Sequence, residues 1–218
     1  IVEEKERLDL CKPGGSDVVE ALGGIMGVEV ETGSEPQVAR VHCGGGREEA
    51  KRRFEYEGLE DCNAAYQLYG GGKVCPYGCL GLGSCIKVCP VDAIAKTENG
   101  LVRVDPDVCI ACGKCVEICP TGVMQMVSAR AERIVACNST DKGGVVRKYC
   151  SAGCIGCKRC VKESPEGGFV VEDFLARIDY SKTGDRSAAE AACPTKCIVS
   201  VEPVMVPVPS RDEPNEED

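Results

Sequence analysis

Residues 109–120, CIACGKCVEICP, hold cysteine at positions 109, 112, 115 and 119 and proline at 120. This C-x2-C-x2-C-x3-C-P spacing binds 4Fe–4S clusters: three closely spaced thiolates wrap three corners of the cube, and the fourth cysteine ligates the cluster of a partner run. Working outward, the same frame recurs three times. Residues 79–90 supply Cys79, Leu82, Cys85, Cys89 and Pro90. Residues 154–165 supply Cys154, Cys157, Cys160, Ser164 and Pro165, and residues 183–194 supply Thr183, Arg186, Ala189, Cys193 and Pro194. The repeated proline ends each loop with φ already set for the next segment.

The crossing of the fourth ligand turns the four copies into a test. Cluster 1 takes Cys109, Cys112, Cys115 and Cys89 and is complete. Cluster 2 takes Cys79, Cys85 and Cys119 and lacks the ligand that Leu82 replaces. Cluster 3 takes Cys154, Cys157, Cys160 and Cys193 and is complete. The remaining set, Thr183, Arg186, Ala189 and Ser164, has no cysteine at all. Those four positions are far apart in sequence yet belong to one site, so one cluster is read as deleted as a unit and three are expected. Cys75, four residues before Cys79, is the expected substitute ligand of cluster 2, with Cys62, Cys43 and a three-iron cluster as competing accounts. Cys43, Cys62, Cys137, Cys150 and Cys197 are otherwise unplaced. Free cysteine is often a small buried hydrophobe, but their matching placement in the two halves leaves an additional site open.

Composition supports the metal reading. The 218 residues include 18 cysteines, no tryptophan and only 4% aromatics, so a conventional core is weak and clusters are expected to add cohesion. Cysteine triples at i, i+3 and i+6 cannot pair sensibly as disulfides, which points to a reducing compartment. Zinc sites use separated cysteine pairs, so a structural zinc scaffold is the weaker account. A net charge of −9, made more negative by thiolate-held clusters, disfavours nucleic acid and favours docking to a more basic protein. Lys142, Arg147, Lys148, Lys158, Arg159 and Lys162 form a local basic stretch whose ordinary reading is a solvated face. No apolar run is long enough to span a bilayer, and a start at Ile1 suggests a fragment or processed chain. With His42 the only histidine and no paired carboxylates in the loops, no catalytic group is assigned.

The expected fold is α+β: two bacterial-type ferredoxin-like units in tandem after a small α/β segment. Residues 16–28 place Val18, Val19, Leu22, Ile25 and Met26 at helical spacing behind Ser16. A strand is expected at 37–41, a turn at Gly44–Gly46 and a charged helix at 47–57. GGGREEA is not a phosphate loop, because Glu48 and Glu49 would repel phosphate at the helix start. Asn99-Gly100 marks a hairpin between Ala93–Lys96 and Leu101–Val104. A strand at 133–137, a helix at 142–149 and strands at Phe169–Val171 and Ala176–Asp179 follow. Cys75-x3-Cys79-x5-Cys85-x3-Cys89 matches Cys150-x3-Cys154-x5-Cys160-x3-Ser164, and Val41-x-Cys43 matches Val135-x-Cys137, so the chain divides into related halves. The expected segments are 1–30, the remnant of an iron–sulfur module; 31–73, small α/β; 74–130, a two-cluster unit; 131–150, a connection; 151–202, a one-cluster unit; and 203–218, a disordered acidic tail.

The chain resembles the B subunits of Rnf complexes, membrane-bound ferredoxin:NAD oxidoreductases that translocate ions. Cys11-Lys-Pro-Gly-Gly, Tyr77-Gly-Cys-Leu-Gly-Leu-Gly-Ser-Cys85, Cys137-Asn-Ser-Thr-Asp-Lys-Gly143 and Gly153-Cys-Ile-Gly-Cys157 carry the resemblance. It implies an electron relay on the cytoplasmic face of the membrane, reduced by soluble ferredoxin and handing electrons to other subunits, one of them flavin- or NAD-binding, with no bond chemistry of its own. It further implies an N-terminal membrane helix absent from this chain, and reads Cys11 as the last cysteine of a small module that follows it. A soluble polyferredoxin, or the iron–sulfur subunit of a hydrogenase or ketoacid oxidoreductase, is the alternative.

Overall fold

The computed structural model describes residues 15–28 and 35–202. In chain order its elements are α1 (Gly15–Met26), β1 (Gln37–Val41), α2 (Cys62–Gln67), α3 (Ser84–Lys87), β2 (Ile94–Lys96), β3 (Val102–Val104), α4 (Lys114–Glu117) and β4 (Met124–Ser128). These are followed by β5 (Arg133–Val135), α5 (Gly143–Tyr149), α6 (Arg159–Glu163), β6 (Phe169–Glu172), β7 (Leu175–Ile178), α7 (Ser187–Ala192) and β8 (Ile198–Ser200). Helices and strands are mixed, and Cys11 and the 203–218 tail lie outside the described residues.

Each half pairs its strands in the same way. Gly100, with φ +74°, makes the turn that Asn99-Gly100 predicts, and β2 returns antiparallel on β3 with Ile94 opposite Val104. In the other half β6 pairs with β7, Phe169 opposite Ile178. The strand preceding each half lies antiparallel on the strand that follows its last loop: β1 on β4, with Val38 opposite Val127, and β5 on β8, with Val135 opposite Ile198. All four ribbons are two-stranded, and such ribbons need a packed face to be stable. That face is part sulfur. One core joins Ile94, Val102, Val104 and Val123 to Cys79, Cys85 and Cys115; the other joins Phe169, Leu175 and Ile198 to Cys154, Cys160 and Cys197.

The charged helix expected at 47–57 does not form. After one turn closed by Ala50 N–H on Gly46 O, the backbone turns outward for its partners. Lys51 N–H bonds Tyr149 O (2.8 Å), Arg53 N–H bonds Gly72 O (2.8 Å), and Ser151 N–H bonds Glu49 O (3.0 Å). Tertiary pairing overrides the helix propensity of REEAKRR. The expected 16–28 helix is present as α1, with Val19 buried and Ile25 exposed. Among the described residues no helix is long and apolar enough to cross a membrane.

Candidate metal centres

The three cysteine loops share one backbone trace. Counting from the first cysteine, the third and fifth residues are left-handed in each: Gly81 and Gly83 (φ +75° and +83°), Ala111 and Gly113 (+54° and +78°), Gly156 and Lys158 (+63° and +60°). Alternating handedness curls a loop around a concavity lined by its own amides. At Gly81 only glycine fits, since a Cβ would stand 2.2 Å from Gly100 O. Immediately after each loop a short helix, α3, α4 or α6, carries the third cysteine inward, so that Cys85, Cys115 and Cys160 are buried.

Three cavities result. Cys109, Cys112 and Cys115 share one of about 330 Å³ with Cys89. Cys154, Cys157 and Cys160 share another of about 330 Å³ with Cys193, and Cys197 also lines it. Cys79 and Cys85 share the third, about 360 Å³, with Cys119. In all three the far cysteine comes from the partner run. The thiols ring a space and do not converge on a point. Among the described residues no three His, Cys, Asp or Glu side chains are grouped closely enough to hold one metal ion.

The fourth thiol of the Cys79 cavity is Cys62, not Cys75. Cys62 opens α2, whose N-cap Asp61 accepts hydrogen bonds from the N–H groups of Asn63 and Ala64 (both 2.9 Å). The Ser84 hydroxyl donates to Asp61 Oδ2 (2.8 Å) and accepts from Cys62 N–H (2.7 Å). Asn63 Nδ2 reaches Ile118 O (3.2 Å), fastening α2 to the segment before Cys119. Leu82 turns instead to an open groove lined by Arg52 and Lys96. Cys75 lines a different cavity with Cys43, Cys137 and Cys150. The capped sequence Asp61-Cys62-Asn63-Ala64 was the available signal for Cys62; distance along the chain favoured Cys75.

All cysteines among the described residues are free thiols. Burial, reinforced by neighbouring sulfurs, pushes Cys79, Cys115 and Cys160 up to about 11 and Cys85 to about 12. Backbone N–H groups already point at sulfur: Ala93 N–H at Cys89 Sγ (3.3 Å) and Ala176 N–H at Cys154 Sγ (3.4 Å). Donors placed this way stabilise thiolate ligands and tune a bound cluster.

Two of the four ligand-free positions, Ser164 and Ala189, meet directly. Ser164 Oγ accepts from Ala189 N–H (3.1 Å), with both residues buried. Arg186 turns its Nε to Gly167 O (2.8 Å) and its guanidinium over the Tyr180 ring (5.6 Å). Direct packing of α6 on α7 thus occupies the place where the other loops hold a thiol-ringed cavity.

A family model described as the 4Fe-4S binding domain matches residues 102–125, which span β3, the Cys109–Cys119 loop and the start of β4. The chain is 40% identical over 198 residues to the B subunit of the ion-translocating oxidoreductase complex of Methanosarcina acetivorans, covering 91% of this chain and 75% of that one. It is 44% identical over 197 residues to the B subunit of the proton-translocating ferredoxin:NAD(+) oxidoreductase complex of Clostridium ljungdahlii (90% and 68%). It is 43% identical over 198 residues to the B subunit of the Na(+)-translocating ferredoxin:NAD(+) oxidoreductase complex of Acetobacterium woodii (91% and 59%).

Proposed function

We propose that this chain, which belongs to the family of B subunits of ion-translocating ferredoxin:NAD(+) oxidoreductase (Rnf) complexes, relays electrons from reduced ferredoxin to partner subunits, one of them flavin- or NAD-binding. It does so at the cytoplasmic face of the membrane. When bound, a 4Fe–4S cluster supplies one-electron storage at low potential. The chain's own residues hold, orient and insulate it, and bond chemistry belongs to the partner subunits.

The proposed ligand sets are Cys109, Cys112, Cys115 and Cys89; Cys79, Cys85, Cys119 and Cys62; and Cys154, Cys157, Cys160 and Cys193. The carrying observation is that each cavity combines one loop's thiols with a single cysteine from the other run or, at Leu82, from a capped helix. We read residues 74–130 and 151–202 as tandem ferredoxin-like units with two clusters and one, because their strand pairings match. Segments 31–73 and 131–150 each supply a unit with its outer strand.

The test is anaerobic purification with iron and sulfide analysis and electron paramagnetic resonance. Brown protein bleached by dithionite is expected. Cys62→Ser removes or converts the cluster held by Cys79, Cys85 and Cys119, while Cys193→Ser removes a different one and spares the pair around Cys109. An unchanged spectrum in Cys62→Ser would reject that ligand, and colourless zinc-loaded protein would reject the function.

A further inference from the structure

Four cysteines left over by these sites meet in one place. Cys43 follows β1 and Cys137 follows β5, each two residues after its strand; Cys75 and Cys150 each stand four residues before the first cysteine of a loop. Each half therefore contributes two thiols from equivalent positions. Together they line a partly open pocket with about 360 Å³ of space, solvent included, against about 330–360 Å³ for the three pockets above. Close-packed interiors leave few voids. A fourth space of similar size, ringed by four thiols like those at Cys79 and Cys109, has the same explanation as the other three.

The walls are shaped for the purpose. Glycine lies beside the sulfurs: a Cβ on Gly45 would stand 3.1 Å from Cys150 Sγ, and one on Gly78 would stand 3.7 Å from Cys75 Sγ and 3.8 Å from Cys43 Sγ. Lys73, 5% exposed, lines the same cavity and donates its Nζ to Gly45 O (2.5 Å). Among the described residues no carboxylate forms a salt bridge with it. A buried ammonium needs a compensating anion, and four thiolates around a 4Fe–4S core carry net negative charge.

Both loops reach this site. Cys79 N–H donates to Cys43 Sγ (3.4 Å), and the N–H of Cys154, its counterpart in the other half, is directed at Cys137. The surrounding backbone is a seam between the halves, closed by Gly44 N–H on Ala136 O (2.8 Å), Lys51 N–H on Tyr149 O (2.8 Å) and His42 Nδ1 on Val135 O (2.9 Å).

We propose that Cys43, Cys75, Cys137 and Cys150 hold a further 4Fe–4S cluster at the seam between the two halves. On assembly four S–H bonds give way to four Fe–S bonds and the protons pass to water. A cluster held there would lie between the sites of the two halves and would supply one-electron storage at the seam. It rests on the cluster-binding reading of the three neighbouring sites.

The test uses the full chain purified anaerobically with its clusters. Iron analysis and ⁵⁷Fe Mössbauer spectroscopy are expected to give about sixteen irons per chain, four at each site. The double variant Cys75→Ala/Cys150→Ala is expected to lose a quarter of the iron and sulfide while keeping the resonance signals of the other clusters. For a variant that does not fold, native alkylation of the unaltered protein decides. The four thiols should resist iodoacetamide until the iron is chelated. About twelve irons with these four thiols alkylated or disulfide-paired in the iron-loaded protein would overturn the proposal and leave the three-cluster reading standing. Iron-free protein would instead reject that reading.

Discussion

At residue 197 the two halves differ by one sulfur. Val123 follows Cys119 by four residues and is fully buried; Cys197 follows Cys193 by four and lines the Cys154 cavity. Its Sγ lies 3.5 Å from Cys193 Sγ, and its S–H is shared with Cys193 and Cys154. That donor holds Cys193 down at about 5 and Cys154 at about 6 and raises Cys197 itself. A donor to a ligand sulfur favours the more negatively charged, reduced state. Cys197→Val, which restores the residue of the other half, is therefore expected to keep the cluster's iron and move its potential to more negative values in a resonance-monitored redox titration. Loss of that cluster would instead make Cys197 a ligand. Most members of the proposed ligand sets were legible in the sequence because they are local: a loop of i, i+3 and i+6 cysteines and its crossing partner follow a counting rule. Cys62 escaped it because the place of a thiol on a distant helix in the Cys79 cavity is set by packing, and Cys75 was favoured because nearness along the chain is not nearness in space.

At the scale of elements, α2 is six residues long and too short to hold itself together, so its cap carries unusual weight. Asp61→Ala removes the Oδ1 that accepts from both the Asn63 and Ala64 N–H groups, and the Ser84 contact with it. The loss of a cap costs about 1 kcal/mol, expressed here as a looser Cys62. The expected result is faster bleaching by an iron chelator of the cluster at Cys79, Cys85 and Cys119, with the other clusters decaying at their original rates. Equal acceleration at every site would assign Asp61 a general stabilising role. The β2–β3 hairpin was legible because Asn99-Gly100 specifies its turn locally. The β1–β4 and β5–β8 ribbons were not, because Gln37 finds Ser128 and Arg133 finds Ser200 across most of a unit, and no local pattern names a partner at that range. The failed 47–57 helix has the same cause, with hydrogen bonds to Tyr149 and Gly72 outcompeting i to i−4 bonds.

The whole molecule carries a net charge of −9, yet Arg159 and Lys162 are exposed on α6 beside Cys157, itself exposed. A basic rim at an exposed member of a proposed ligand set suits an acidic electron donor. Arg159→Glu/Lys162→Glu is expected to slow electron uptake from reduced ferredoxin by roughly tenfold at low salt, with the deficit shrinking as ionic strength rises. Stopped-flow bleaching measures this, and a rate unchanged at low salt would move the docking face elsewhere. The deeper dependence is on iron. The cores of both halves are built partly from the sulfurs that ring the proposed cluster sites. A ring emptied of its cluster leaves those side chains without contact atoms on one side. No sheet wider than two strands stands in reserve among the described residues. Folding and cluster binding are therefore one equilibrium. Anaerobic chelation should abolish near-ultraviolet circular dichroism and protease resistance together with the iron. An iron-free chain that kept a dispersed, native-like NMR spectrum would show that the protein scaffold alone sustains the fold.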